Sequence, residues 1–178
     1  MRGLKWLFVS LAALTFVISL TNPAPAFFGS KFEEEYQKEK EAVKLCDDTE
    51  RGNYRLIDAD ELKRWIDNGK EMVIIDTMPF EDSYKKAHVP GAVQFLFPIP
   101  LMETWDTMET GGKTQEDFAD LLGVDKGKPV VVYCGFVKCT RSHNGAAWAA
   151  KLGYKNVYRF PGGIFAWKGA GYPTEEVK

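Results

Sequence analysis

The run KPVVVYC, residues 128–134, constrains the fold more than any other stretch of the chain. It is apolar at nearly every position and does not alternate, as a strand with one wet face would. Such a run suits a strand buried on both faces of a parallel sheet. Parallel neighbours cannot be joined by hairpins, so the chain must leave and return through crossovers, usually helices. The flanking sequence has that rhythm. YRLI is a short strand, and Asp58 with Glu61 opens a helix in which Leu62, Trp65 and Ile66 form the apolar stripe. EMVIID is a second continuous apolar strand, PFEDSYKKA a short helix, and HVPGAVQFLF a turn and a strand. PIPLMETWDTMETGGK has no period and two prolines, and reads as a long loop. Thr114 and Asp117 cap the helix QEDFADLLG, which Gly123 ends. After KPVVVYC come the Ala-rich helix SHNGAAWAAKLGY, the strand NVYRF, and a Gly-rich turn into a closing helix near residues 164–168. The pattern predicts an α/β fold with a central, mostly parallel sheet, helices on both faces, and KPVVVYC in the middle.

The two ends of the chain differ in kind. Arg2 and Lys5 precede an apolar core at residues 6–20, and Ala24-Pro25-Ala26 places small residues where a signal peptidase cuts. The core is shorter than a bilayer span of about 18–20 residues. Residues 1–26 are therefore expected to be a cleaved export leader, making the protein periplasmic or otherwise extracytoplasmic and tied to the membrane only through that signal. Residues 27–53 are heavily charged, with Phe32, Tyr36, Val43 and Leu45 at roughly helical spacing. They read as a helical arm on the domain or on a partner, with a solvated tether as the alternative. Residues 54–178 form the compact domain. Without the leader, 21 basic residues face 25 acidic ones, a net charge near −4, which excludes a nucleic-acid binder. The sequence does not fix the oligomer, a homodimer being one option.

Three cysteines, Cys46, Cys134 and Cys139, are an odd set for an exported chain. Cys134 closes the central strand, and the loop Gly135, Phe136, Val137, Lys138, Cys139, Thr140, Arg141 leads into a helix. Ligands of open α/β sheets bind beyond the carboxyl ends of strands. A loop folding back onto a helix start turns N–H groups inward and makes an anion cradle. A thiol there is stabilised as thiolate, and Lys138 and Arg141 would add positive charge. A zinc site is disfavoured, since two cysteines with His143 nearby and His88 far off in sequence do not make the usual ligand set. A Cys134–Cys139 disulfide and an inert buried Cys134 remain alternatives.

The same residues resemble a known family. VVVYCGF, then RSHNGAAWAAKLGYKNVYRFPGGIFAW, is similar to the carboxyl half of a rhodanese-like domain, and VIIDTMPFEDSYKKAHVPGA to its amino half. The resemblance covers about residues 54–174. It implies the rhodanese-like fold and a sulfurtransferase, with Cys134 accepting sulfane sulfur from thiosulfate or polysulfide as a persulfide. A thiol, sulfide or cyanide would then take the sulfur. No cofactor and no metal are implied. The exported setting is similar to that of periplasmic sulfurtransferases, including the polysulfide type. Two departures stand out. Six residues, not the family's four, separate Cys134 from Arg141, with Cys139 where the arginine of the shorter loop would fall. Met78 replaces the arginine after the first-half aspartate, which weakens the case for thiosulfate, while Phe136 and Val137 suit a more apolar mouth.

Cys139 then has three readings: a resolving thiol, a structural half-cystine, or a bystander. Asp76, at its strand end, is expected to brace the loop through backbone N–H groups. His143 could reach substrate or sit on the helix surface, and His88 reads as a structural residue of its turn. Gly162 and Gly163 are expected to turn the chain beside the cysteine loop. Two rival functions stay open. One is a redox-sensing or non-catalytic module with a Cys134–Cys139 disulfide. The other is the phosphatase or arsenate-reductase chemistry of the same fold, which the loop spacing disfavours.

Overall fold

The computed structural model describes residues 27–177, so the expected leader at 1–26 lies outside it. The elements follow in the order α1 (Phe27–Gly52), β1 (Arg55–Leu56), α2 (Ala59–Asp67), β2 (Val73–Asp76), β3 (Ala92–Gln94), α3 (Gln115–Leu122), β4 (Val130–Tyr133), α4 (Arg141–Lys151), β5 (Val157–Phe160) and α5 (Gly163–Gly169). The five strands form one sheet ordered β1-β5-β4-β2-β3, and every pairing is parallel. β4 is central and buried throughout. Its side chains alternate between faces, as strand geometry requires. Val130 and Val132 join Ile75, Phe95, Phe97, Phe118, Leu122, Ala146 and Trp148 on one side. Val131 and Tyr133 join Ile57, Leu62, Ile74, Val89, Ile164 and Trp167 on the other.

The capping signals act as read. Thr114 and Asp117 form a complete capping box, and Asp58 accepts the Glu61 N–H at 2.8 Å. The segment PFEDSYKKA is one turn of π-helix, Phe80–Tyr84. His88 is a structural residue of its turn. Its Nδ1 lies 2.9 Å from the Tyr84 carbonyl, its ring stacks on Tyr84 at 4.1 Å, and its backbone bridges to Glu175.

The arm is one 26-residue helix, and its inward face differs from the apolar stripe expected. Phe32, Tyr36 and Val43 point to solvent. The inward positions are Gln37, Glu41, Leu45 and Asp48, and Asp48 is buried. The helix docks by polar contacts that a hydrophobicity pattern does not register. Among the described residues no helix is long and apolar enough to cross a membrane.

The chain runs from β2 outward to β3, then returns to the other side of β2 as β4. The loops after β2 and β4 therefore diverge, and the carboxyl edge between these two strands is the switch point where ligands of such sheets bind. Asp76, Thr77 and Cys134 lie on that edge. Thr77 ties its two sides together, donating to the Tyr133 carbonyl through both N–H (3.0 Å) and hydroxyl (2.8 Å).

Candidate active site

Cys134 follows β4 directly and has no exposed surface. Two elements fix its backbone. Its carbonyl accepts the Ile164 N–H at 2.9 Å, and the Gly135 carbonyl accepts the Phe165 N–H at 3.0 Å. This close approach explains Gly163. Its φ is +55°, and a Cβ there would stand 2.0 Å from the Cys134 oxygen. Only glycine allows α5 to seat its first N–H groups on the loop.

The Cys134 sulfur faces oxygen. It lies 3.5 Å from the Cys139 carbonyl, 3.5 Å from the Ser142 hydroxyl and 3.9 Å from the Phe136 carbonyl. Burial, followed by the hydrogen bond to the Cys139 sulfur, pushes its pKa far up. Cys139 lies in the opposite environment. It is partly exposed, and it accepts from the Cys134 thiol and from the backbone N–H groups of Arg141 and Gly135. Those donors, led by Cys134, bring it down to about 6 against the opposing effect of burial. Both cysteines, like exposed Cys46, are free thiols.

Arg159 organises the rear of the loop. It projects from β5, is 1 % exposed, and donates to five acceptors. They are the carbonyls of Val137 (3.1 Å) and Cys139 (3.0 Å), the Ser142 hydroxyl (3.0 Å), Asp48 Oδ2 (3.3 Å) and the Tyr54 hydroxyl (3.3 Å). Pulling loop carbonyls backward leaves N–H groups free to turn forward. Asp48 also pairs with Lys44 at 2.6 Å and with Arg51. Burial acts to raise the Asp48 pKa, but the Lys44 hydrogen bond and surrounding positive charge hold it below the usual carboxylate range. The network ends at His143, whose Nδ1 lies 2.8 Å from the Tyr54 hydroxyl.

The remaining sequence-predicted residues take the following places. His143 lies buried behind the loop rather than at its mouth, and burial lowers it to about 4, so it is neutral at pH 7. Lys138 does not enter the cradle; it pairs with Glu41 of α1 at 2.7 Å. The Arg141 guanidinium donates to the Phe97 carbonyl, while its charge still lowers Cys139. Thr140 caps α4 through its carbonyl, which accepts the Asn144 N–H at 3.0 Å. Phe136 and Val137 are exposed, and Phe136 lies 5.6 Å from Phe165 between ring centroids. Asp76 turns its Oδ1 to the Met78 N–H at 2.9 Å, not to the cysteine loop. Its Oδ2 is buried with no hydrogen-bond partner among the described residues, and burial raises the group to about 6. Met78 lies beneath the loop, its sulfur 3.6 Å from where a Gly135 Cβ would be. No cluster of His, Cys, Asp or Glu among the described residues could hold a metal ion.

Sequence reasoning missed Arg159, Asp48, Tyr54 and Ser142. One signal was available: an arginine between apolar residues of a strand buried on both faces needs a buried partner. Its partner lay 111 positions away, beyond any local pattern.

Comparisons with known proteins agree with this architecture. The Rhodanese-like domain family model matches residues 58–170. Rhodanese-like domain-containing protein 14, chloroplastic, of Arabidopsis thaliana is 28 % identical over 150 residues, covering 70 % of this chain and 66 % of that protein. The chain thus spans just under two thirds of that relative. Among solved structures, a protein from Anabaena superposes with a TM-score of 0.52 at 20 % identity over 68 % of this chain and 92 % of that one. A thiosulfate sulfurtransferase from Pseudomonas aeruginosa gives 0.51 at 22 % identity, covering 73 % of this chain and 22 % of that one. A Rhodopseudomonas palustris protein named a possible tyrosine phosphatase gives 0.52 at 21 % identity, over 76 % and 93 %. At these identities the structural matches establish the fold alone.

Proposed function

The chain belongs to the rhodanese-like domain family, and from that premise we propose that it is a sulfurtransferase. It moves sulfane sulfur from polysulfide or thiosulfate to a thiol, sulfide or cyanide acceptor through a persulfide held in the Cys134–Cys139 loop. One observation carries this reading. At the switch point of the sheet stands a loop whose carbonyls are held back by Arg159 and whose N–H groups reach a sulfur. Such a cradle stabilises a thiolate and then the persulfide anion. The family resemblance gives the sulfur-accepting position to Cys134.

The surroundings favour a polysulfide chain over compact thiosulfate. Both side-chain cations expected in the cradle are engaged elsewhere, Lys138 by Glu41 and Arg141 by Phe97. Met78 replaces a cation below the loop, and Phe136 with Phe165 forms an apolar wall beside it. Polysulfide is therefore expected to give the higher kcat/KM. The leader-like first residues support an extracytoplasmic setting, which N-terminal sequencing of the exported protein would check.

Intact-mass measurement of the reduced protein after polysulfide or thiosulfate tests the activity. Gain of one sulfur atom on a loop cysteine, removed by cyanide or a thiol, or release of that sulfur as hydrosulfide, is expected. Reduced protein that neither gains sulfur nor releases sulfite or hydrosulfide with either donor would leave a non-catalytic module. Turnover of an aryl phosphate instead would favour phosphatase chemistry.

A further inference from the structure

We propose that Cys139 is the thiol that first takes sulfur, and that Cys134 resolves the resulting persulfide, so that the site releases hydrosulfide and forms a Cys134–Cys139 disulfide. The inference rests on the sulfurtransferase reading and exchanges the roles that sequence position alone would give the two cysteines.

Access decides the order of events. Cys134 has no exposed surface, whereas Cys139 is partly exposed. A donor arriving from solvent meets Cys139 first. Local polarity points the same way. A sulfane sulfur added to Cys134 would bring negative charge against the carbonyls of Cys139 and Phe136, at 3.5 and 3.9 Å from its sulfur, with only the Ser142 hydroxyl, at 3.5 Å, and the Ser142 N–H to offset them. Negative charge on Cys139 instead meets N–H groups of Gly135 and Arg141, a thiol proton and a nearby guanidinium.

The chemistry balances. The Cys139 thiolate attacks the sulfane sulfur of the donor. A bond forms between that sulfur and Cys139, the donor's S–S bond breaks, and sulfite or a shortened polysulfide leaves with the electron pair. Cys134 then attacks the Cys139 sulfur. The Cys139–sulfane bond breaks, and hydrosulfide departs with that electron pair and the Cys134 proton. The two cysteine sulfurs together lose two electrons, and the sulfane sulfur is reduced to the sulfide level. An external dithiol reductant must reduce the disulfide before another cycle. Where an acceptor thiol reaches Cys139 first, ordinary sulfur transfer results, so the acceptor concentration decides between the two outcomes.

The test uses the full chain with Cys46→Ser, reduced and then freed of reductant. Thiosulfate or polysulfide is added, the reaction quenched in acid, and the peptides mapped. Unmutated loop cysteines should release about one hydrosulfide per chain and end as a Cys134–Cys139 disulfide. Cys134→Ser should accumulate persulfide on Cys139 and release no hydrosulfide. Cys139→Ser should load sulfur at least about tenfold more slowly at pH 7. Limited alkylation of the unmutated loop needs no variant that must fold, and should label Cys139 before Cys134. Alkylation of Cys134 first, or a persulfide on Cys134 in both the unmutated loop and Cys139→Ser at an undiminished rate, overturns the assignment and leaves the sulfurtransferase standing. Sulfur on neither cysteine in any form overturns both.

Discussion

The two sides of the cysteine loop are built on opposite plans. Behind it, Arg159, Asp48, Tyr54, Ser142 and His143 are buried and joined by hydrogen bonds across α1, β5 and α4. In front, Phe136, Val137 and Phe165 are exposed, with a single ring contact between them. A buried, hydrogen-bonded rear costs much to break, because any deletion strands a partner in low dielectric. An open front costs little to change and meets the substrate. Substitutions behind should therefore act through stability and loop geometry together, and those in front through the substrate alone.

The sharpest way to break this contrast is Arg159→Met. It leaves Asp48 buried without its innermost cation and frees the carbonyls of Val137 and Cys139. We expect a loss of about 3–5 kcal/mol in urea unfolding, with sulfur loading lost even where the variant is folded. Arg159→Lys should recover part of the stability and little of the loading, since an ammonium cannot span five acceptors. An unchanged melting temperature in Arg159→Met would show that the rear network is not a support.

Gly163→Ala should rank next. The added Cβ, 2.0 Å from the Cys134 carbonyl at a φ of +55°, forces α5 off the loop. A cost of roughly 2–4 kcal/mol is expected. Loading should fall further than in a core variant of equal stability, because the displaced backbone is that of Cys134.

Sheet, crossovers and caps were legible in the sequence because each depends on neighbours in the chain. The β4 run, the Thr114–Asp117 box and the Gly163 turn carry local signals of burial, capping or backbone freedom. The rear of the site was not legible because its bonds join residues far apart: Asp48 to Arg159, Tyr54 to His143, Lys138 to Glu41. The stripe on α1 misled for a related reason. Its exposed Phe32, Tyr36 and Val43 match an amphipathic pattern, while polar Glu41 and Asp48 make the contacts. The cysteine loop lies between these cases. Its position followed from the strand, but which thiol carries charge depends on N–H and carbonyl directions that sequence does not encode.

Acid titration separates the sheet edge from the network behind the loop. Buried His143, lowered to about 4, binds fewer protons folded than unfolded between pH 6.5 and 4, so it removes stability as pH falls through that window. Asp76, raised from 3.8 to about 6, binds more protons when folded, so it adds stability as pH falls from about 6 toward 4. The two nearly cancel in the native protein. Relative to it, His143→Asn should gain stability on acidification over that range and Asp76→Asn should lose it, each on the order of 2 kcal/mol. Parallel pH–stability curves for all three proteins would remove both assignments.

The smallest expected effect lies at the mouth. Phe136 is 46 % exposed, and its ring meets Phe165, itself 64 % exposed. Truncation to alanine removes surface already largely in water, so stability should change by no more than about 0.5 kcal/mol. Substrate should register it more. A polysulfide chain lying along the two rings loses apolar contact worth about 1 kcal/mol, which corresponds to a roughly fivefold rise in KM. Thiosulfate, too short to reach the second ring and held by backbone N–H groups, should keep its KM. Phe136→Ala thus predicts a donor-selective change with an unaltered melting curve. Equal losses for both donors would mean that Phe136 shapes the cradle itself, and the division between a rigid rear and a free front would no longer describe this site.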